Sequence, residues 1–200
     1  MMTDIQKQKI EQLLIHLIHA LQDSKAGVTK TKLYKLLYFL DFGHYAKYDR
    51  SITNLSYLKF RFGPVPMGVD TLLKLMEENE WIQRQWKSDR YDGHSIYKSS
   101  TVNPSNDWSA TEKETIEATI QHFKNTYAFQ VSRETHHHYS WISTDNGKII
   151  DYEKSKFCDF EWLDYFYNKT KEEYLEDQQT RKLLDESEEM DQLMNSLQNL

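Results

Sequence analysis

The sequence predicts a mainly α-helical fold of the α+β class: a compact helical domain with a small antiparallel β element and a C-terminal helical extension. Apolar residues recur with the helical period along much of the chain. Two short segments, "SYLKFRFGPVP" and "WIQRQWKSDRYDGHSIYKSS", have the aromatic content, alternation and turn residues of strands. Helices combined with so small a β element place the chain in the mainly α or α+β class.

Two helices are predicted at the N-terminus. The first, from about Asp4 to Asp23, is indicated by six apolar residues at helical spacing: Ile10, Leu13, Leu14, Leu17, Ile18 and Leu21. Thr29 is expected to cap the second helix, "KTKLYKLLYFLDFGHYAKY". This helix is apolar on most of its circumference and is therefore expected at the centre of the domain. His44 lies on its buried side, where we expect a hydrogen-bonded core histidine.

The segment "SYLKFRFGPVP" is predicted as one strand that ends in a Gly63-Pro64 turn. Pro66 is expected to open the next helix, because the first helical position tolerates proline. That helix has four apolar residues on one face: Val69, Leu72, Leu73 and Met76.

The second half begins with a hairpin, in which "WIQRQW" and "HSIYKSS" are joined by a turn at Asp92-Gly93. Ser109 and Glu112 match the capping box, so a helix is expected from there to about Tyr127. "STDNGK" is predicted as a turn and "FCDFEWLDYFY" as a further helix.

We predict two regions, a domain at residues 1–167 and a helical extension at residues 168–200. Residues 1–100 contain 15 Lys and Arg against 11 Asp and Glu, whereas residues 151–200 contain 6 against 14. The acidic extension is expected either to help hold a basic partner or to pack on its own domain and keep it soluble. A uniform nucleic-acid binder would not have this distribution of charge.

The composition favours an intracellular protein. The only cysteine, Cys158, excludes an internal disulfide, which suits a reducing compartment. The N-terminus is polar, and its longest apolar stretch, "LLIHLIHAL", is too short for a membrane span. We therefore expect a cytoplasmic protein that does not bind a membrane.

No catalytic or cofactor motif is found. The 6 glycines form no phosphate-binding loop and no nucleophile elbow. His136, His137 and His138 are consecutive, and consecutive side chains diverge on a helix and alternate on a strand. At most two of them could reach one ion, so we expect no metal site, no cofactor and no catalytic residue.

The segment "KLYKLLYFLDFGHYAKYDRSITNLSYLKFRFGPVPMGV" resembles the signature of the Panacea domain, the SocA-like antitoxin family. That family has a K-L-L-Y-F helix, an aromatic strand that ends in G-P-V, and an L-S-x-x-T-H segment followed by tryptophan. The last element reads Val131-Ser132-Arg133-Glu134-Thr135-His136 here, with Trp141 after it. The resemblance therefore selects His136, and His137 and His138 look incidental. The matched residues that we take as site candidates are Lys35, Tyr38, Tyr57, Phe62, Gly63, Pro64, Val65, His136 and Trp141.

The resemblance implies an antitoxin of bacteria, prophages or phages that binds and neutralises a cognate toxin. Leu36, Leu37 and Phe39 are expected in the core, and Thr135-His136 as a local cap. The members expected to be exposed, and thus to contact the toxin, are Lys35, Tyr57 and Trp141. The alternatives are a proteolysis adaptor with a protease as its second partner, a DNA-binding regulator, and an enzyme that uses His44 or His136.

Overall fold

The computed structural model describes residues 2–87, 94–100 and 107–164. The predicted class is confirmed: helices dominate, with two antiparallel sheets of two strands each. In chain order the elements are α1 (Asp4–Leu21), α2 (Lys30–Tyr48), β1 (Tyr57–Phe60), β2 (Gly63–Pro66), α3 (Val69–Glu78), β3 (Ile82–Lys87), β4 (His94–Ser99), α4 (Ala110–Phe123), α5 (Ala128–Thr135), α6 (Tyr139–Ile142) and a 3-10 helix (Tyr152–Phe157).

Helix α2 forms the centre of the domain, as its composition predicted. All thirteen residues from Lys32 to His44 are buried, and the helix packs against α4, α5, β2, β4 and the 3-10 helix. Thr29 caps its start by accepting a hydrogen bond from the Lys32 N–H. The predicted cap is therefore confirmed. At the other end the helix stops at Asp49, whose left-handed φ of 54° turns the chain away.

The carboxylate of Asp41, fully buried on α2, fixes the loop that follows the helix. It accepts hydrogen bonds from the N–H groups of Ile52 (2.9 Å) and Thr53 (2.7 Å). The hydroxyl groups of Thr53 and Tyr57 also donate to it, Tyr57 at 2.6 Å. Burial raises the pKa of Asp41, and these four hydrogen bonds act against that shift. Loop 52–53 and the start of β1 thus depend on one side chain.

The prediction of one strand over "SYLKFRFGPVP" is wrong, because the segment folds into a hairpin. Tyr57 pairs with Pro66 and Phe60 with Gly63, and the turn lies at residues 61–62 rather than at Gly63-Pro64. Strand β2 can contain two prolines because their missing N–H groups face its outer edge. Pro66 therefore ends a strand, and α3 begins at Val69.

A further segment, residues 147–150, lies along the other side of β1. Gly147 N–H donates to Lys59 O at 2.7 Å, and Lys59 N–H donates to Lys148 O at 2.9 Å. Gly147 and Lys148 thus both lie opposite Lys59, which is the geometry of a β-bulge. Gly147 has the positive φ, 77°, that the first position of such a bulge requires. Leu58 faces Ile149 across this pairing. Strand β1 is therefore flanked on both sides.

The second hairpin and the later helices follow the prediction with two differences. Strands β3 and β4 pair antiparallel from Ile82–Ser99 to Lys87–His94, while the predicted Asp92-Gly93 turn lies outside the described residues. Ser109 and Glu112 form the predicted capping box of α4. That helix ends at Phe123, not near Tyr127, and the helix predicted over "FCDFEWLDYFY" begins only at Glu161.

The chain divides into two compact units, residues 1–160 and 161–200. Of the second unit the structure describes residues 161–164, which are helical. The predicted acidic extension, its apolar stripe and the boundary at residues 167–168 lie outside the described residues and stay predictions. Within the described part, no helix has both the length and the apolar character that a membrane crossing needs.

Replacing Asp41 with alanine should destabilise the fold by about 3 kcal/mol or more, because buried donors lose their acceptor together. The free energy of unfolding from urea titration measures the effect. Asp145→Ala, which alters an exposed carboxylate, is the matched control and should change that energy by less than about 0.5 kcal/mol. Equal effects of the two variants would contradict the role assigned to Asp41.

Candidate functional site

The three motif segments, far apart in the sequence, meet at one internal junction. It is formed by Lys35 of α2, Gly63 and Pro64 of β2, and Ser132 and Thr135 of α5. Lys35 Nζ donates to Pro64 O at 2.7 Å. Since Pro64 faces the outer edge of the hairpin, this lysine satisfies a carbonyl group that the sheet leaves unpaired.

The segments of this junction approach one another most closely at Gly63. Its φ is 94°, and a Cβ atom at this position would lie 2.6 Å from Thr135 Oγ1 and 2.9 Å from Lys35 Cε. Both the backbone conformation and the space around it therefore require glycine. Thr135 is fully buried, and its hydroxyl donates to Ser132 O at 2.7 Å. The expected local cap at Thr135 is thus present, and it also seats the hairpin.

The hairpin tip projects from this junction. Ser132 Oγ donates to Phe62 O at 2.8 Å, so α5 holds the turn at its backbone. The Phe62 side chain is 71% exposed, and the guanidinium of Arg61 lies 5.5 Å from its ring centroid. Of the nine predicted site residues, Phe62 is the one that is largely exposed.

Two of the three residues expected at the surface are in the core. Lys35 is 2% exposed and Tyr57 is fully buried, so the expectation that they are exposed contact residues is wrong. Trp141 is half-buried. Burial lowers the pKa of Lys35 to about 8. The side chain is therefore still mainly protonated at neutral pH and can donate to Pro64.

The three side chains of the histidine run lie in three different environments. His136 is half-buried, and its ring stacks on Trp141 with centroids 4.2 Å apart. Lys59 Nζ lies 4.2 Å from the Trp141 ring centroid and so covers the stack. His137 is exposed, and His138 is buried. The three rings thus diverge, and no group of three metal-ligating side chains occurs in the described ranges.

His138 is not incidental, contrary to the sequence interpretation. It is 7% exposed, and its Nδ1 lies 3.2 Å from the hydroxyl of Tyr38. That hydroxyl also lies 2.5 Å from Ser140 Oγ. Phe160 packs edge-on against the imidazole ring. Burial is the main cause that lowers the pKa of His138, to about 4. The neutral ring therefore joins α2 to the α5–α6 corner.

These contacts belong to a longer series, which we call the polar row of α2. It consists of five buried residues three positions apart: Lys32, Lys35, Tyr38, Asp41 and His44. Lys32 Nζ lies 3.4 Å from the carbonyl oxygen of Lys124, at the C-terminal end of α4. A cation is favourable there because helix carbonyls carry partial negative charge. His44 Nδ1 lies 2.6 Å from Arg50 O, so the predicted hydrogen-bonded core histidine is confirmed.

The polar row supplies what sequence reasoning missed. Asp41 and Lys32 were not singled out, yet each organises a separate segment. The signal that could have found them is the strict three-residue spacing of polar side chains along a helix that is otherwise apolar.

The predicted site residues do not line either of two cavities that described residues form. A cavity of about 690 Å³ opens beside the start of α2, the β3–β4 hairpin and the start of α5, where Lys30, Arg84 and Phe129 line it. None of the nine candidates lines this cavity. The polar atoms of Lys35, Tyr38 and Tyr57 are all bonded inside the domain. The motif is therefore a structural junction, and the part of it that reaches the surface is the hairpin.

Comparison with protein families gives one match. The model described as "Antitoxin SocA-like, Panacea domain" covers residues 33–142, which include most of α2, both hairpins and the histidine run. Comparison with curated proteins finds no match for this chain.

Gly63→Ala should destabilise the protein more than Gly147→Ala, because the two sites share a positive φ but differ in space. A Cβ at Gly147 meets no atom within 4 Å, so that variant bears the backbone strain of about 1–2 kcal/mol alone. Gly63→Ala adds a collision with buried side chains that should cost at least about 1 kcal/mol more. Equal unfolding free energies of the two variants would refute the junction.

Stability should fall as the pH drops from about 6.5 toward 4, because an unfolded histidine takes up a proton in that range while His138 in the folded chain does not. Between pH 7 and pH 5, His138 should account for about 2 kcal/mol of this loss. Burial also lowers the pKa values of His44 and His136, so part of the dependence will persist without His138.

Urea titrations of the wild type and His138→Asn at both pH values measure this contribution. The variant should lose about 2 kcal/mol less between them. His19→Asn, at an exposed position of α1, should keep the wild-type difference. An unchanged difference in His138→Asn would show that the buried imidazole is not its source.

Proposed function

Because this chain belongs to the family of SocA-like antitoxins with a Panacea domain, we propose that it neutralises a cognate protein toxin by binding it directly. It acts in the cytoplasm, without a cofactor and without catalysis of its own. The observation that carries the proposal is that the family motif is internal: its polar groups are committed to one another, and what they project outward is an aromatic hairpin.

The internal pairing supports a binding role over catalysis. A general base or nucleophile needs an atom that can reach a substrate. Tyr38 and Tyr57 are fully buried, and Lys35 is 2% exposed. Among the histidines of the enzyme alternative, His44 is fully buried, and His136 is stacked on Trp141. Neither is placed as a group that meets a substrate.

The exposed apolar side chains also support a binding role. Phe60, Phe62, Ile142 and Ile149 are between 42% and 71% exposed, and they lie on the hairpin, the adjacent corner and the segment paired with β1. Aromatic side chains are enriched in protein interfaces because they bury large areas at a low cost in conformational entropy.

Co-expression with the adjoining toxin gene should restore growth, and the two proteins should co-purify as a stable complex. The paired control is Gly63→Ala, which should rescue less well in proportion to its loss of folded protein. A neighbour that stays fully toxic, with no co-purification, would contradict the proposal.

Toxin abundance separates direct neutralisation from the proteolysis adaptor. Neutralisation by binding leaves the toxin level unchanged or higher while growth recovers. If the level falls, and the fall disappears in a strain that lacks the protease, the adaptor alternative is correct. A mobility shift with promoter DNA tests the DNA-binding alternative, for which we expect no specific complex.

A further inference from the structure

The outward face of the β1–β2 hairpin is an uncharged apolar surface. Side chains alternate along the strands, so residues of one parity share the face that points away from Tyr57 and the core. Register and pairing place five apolar side chains on it, and we call this set the outer sheet face: Leu58, Phe60, Val65, Met67 and Ile149.

These residues are accessible to a partner. Ile149 is 60% exposed, Met67 46% and Phe60 42%, while Leu58 and Val65 between them are half-buried. The face continues beyond Met67 into a depression of about 350 Å³ lined by Ser56 and Leu55. Adjacent exposed apolar side chains of this kind mark interaction sites on soluble proteins.

The hairpin that carries most of this face is basic, whereas the segment that carries Ile149 is flanked by two exposed carboxylates, Asp145 and Asp151. The stretch from residue 56 to residue 68 contains Lys59 and Arg61 and no acidic residue. Arg61 is exposed at the tip, and Lys148 is exposed beside Ile149. A partner surface with apolar side chains at its centre and carboxylates at its rim would complement this arrangement.

We propose that the outer sheet face is the surface on which this protein binds its toxin, and that the toxin contributes an apolar patch with an acidic rim. This inference rests on the proposed antitoxin function and specifies its site. The buried junction of Lys35, Gly63 and Thr135 does not touch the toxin. It holds the hairpin rigid, so the face needs little ordering when the complex forms.

A second copy of the chain fits this face less well than a toxin. In a two-fold contact both copies present the same patch, so Arg61 and Lys148 would be present on both sides, and repulsion between these basic side chains would oppose the contact. The five side chains also provide only the centre of a standard interface of about 800 Å² per partner. The toxin must therefore extend over the neighbouring surface.

The test measures binding of the adjoining toxin gene product, purified as an inactive variant, to the full-length wild type and to Phe60→Ser/Ile149→Ser. The variant removes the two exposed ends of the face and should raise the Kd at least about 30-fold. The control is Phe129→Ser/Phe157→Ser, which removes two aromatic residues outside the face that are even more exposed, and it should leave the Kd within about threefold. Thermal melting checks that both variants fold.

A charge variant tests the basic rim without changing the strands. Arg61→Glu/Lys148→Glu should lower the association rate about tenfold at low salt, and the difference should shrink at 1 M salt, where charges are screened beyond about 3 Å. Lys113→Glu, at an exposed position on α4, should leave the rate nearly unchanged. If Phe60→Ser/Ile149→Ser does not fold, the Arg61→Glu/Lys148→Glu variant still tests whether the toxin binds at this face.

The outcomes separate the surface from the function. A wild-type complex that both face variants retain at full affinity overturns the outer sheet face and leaves the antitoxin function standing. No complex with the wild type overturns the function and the face together. A homodimer of the wild type that Phe60→Ser/Ile149→Ser dissociates would assign the face to a second copy and also overturn the proposal.

Discussion

The polar row of α2 is the constraint on which the rest of this domain depends. A helix buried on all sides could slide or rotate among apolar neighbours at little cost. A buried polar group, in contrast, must find its partner, because leaving it unpaired costs several kcal/mol. Lys32, Lys35, Tyr38, Asp41 and His44 each meet a different segment of the chain. Each therefore fixes the position of one neighbouring segment, and together they specify one arrangement around the helix.

The hairpin shows how this constraint reaches the surface. Asp41 holds Tyr57 at the beginning of β1, and Lys35 holds Pro64 in β2. Ser132 fixes the backbone of the turn at Phe62. The side of the hairpin that faces the core is thus tied down at both strands and at the tip. The side chains on the opposite side take no part in these hydrogen bonds and can therefore be apolar.

The sequence predicted the helices better than the hairpin, and the reasons are physical. Helix α2 follows from its apolar circumference and from the cap at Thr29, both of which are local. The hairpin was missed because Gly63-Pro64 looks like a turn, whereas the actual turn at residues 61–62 contains no typical turn residue. Gly63 is needed for its close approach to Thr135, a distant contact that no local pattern reveals. His138 was missed for the same reason, since only the fold separates three adjacent histidines.

The burial of the motif bears on how partner choice is encoded. Lys32 and Lys35 are buried with no carboxylate partner among the described residues, which is costly, and burial lowers the pKa of each to about 8. Such groups contribute more to a unique structure than to net stability. Under the proposed function, residues committed to the interior would not distinguish one toxin from another, because they would not touch it. Discrimination would then reside in outward side chains, and Ile149 lies beyond residue 142, where the family match ends. A common internal junction with a variable outer face would allow one scaffold to serve different toxins, since exposed positions on a strand can change without disturbing the contacts beneath them.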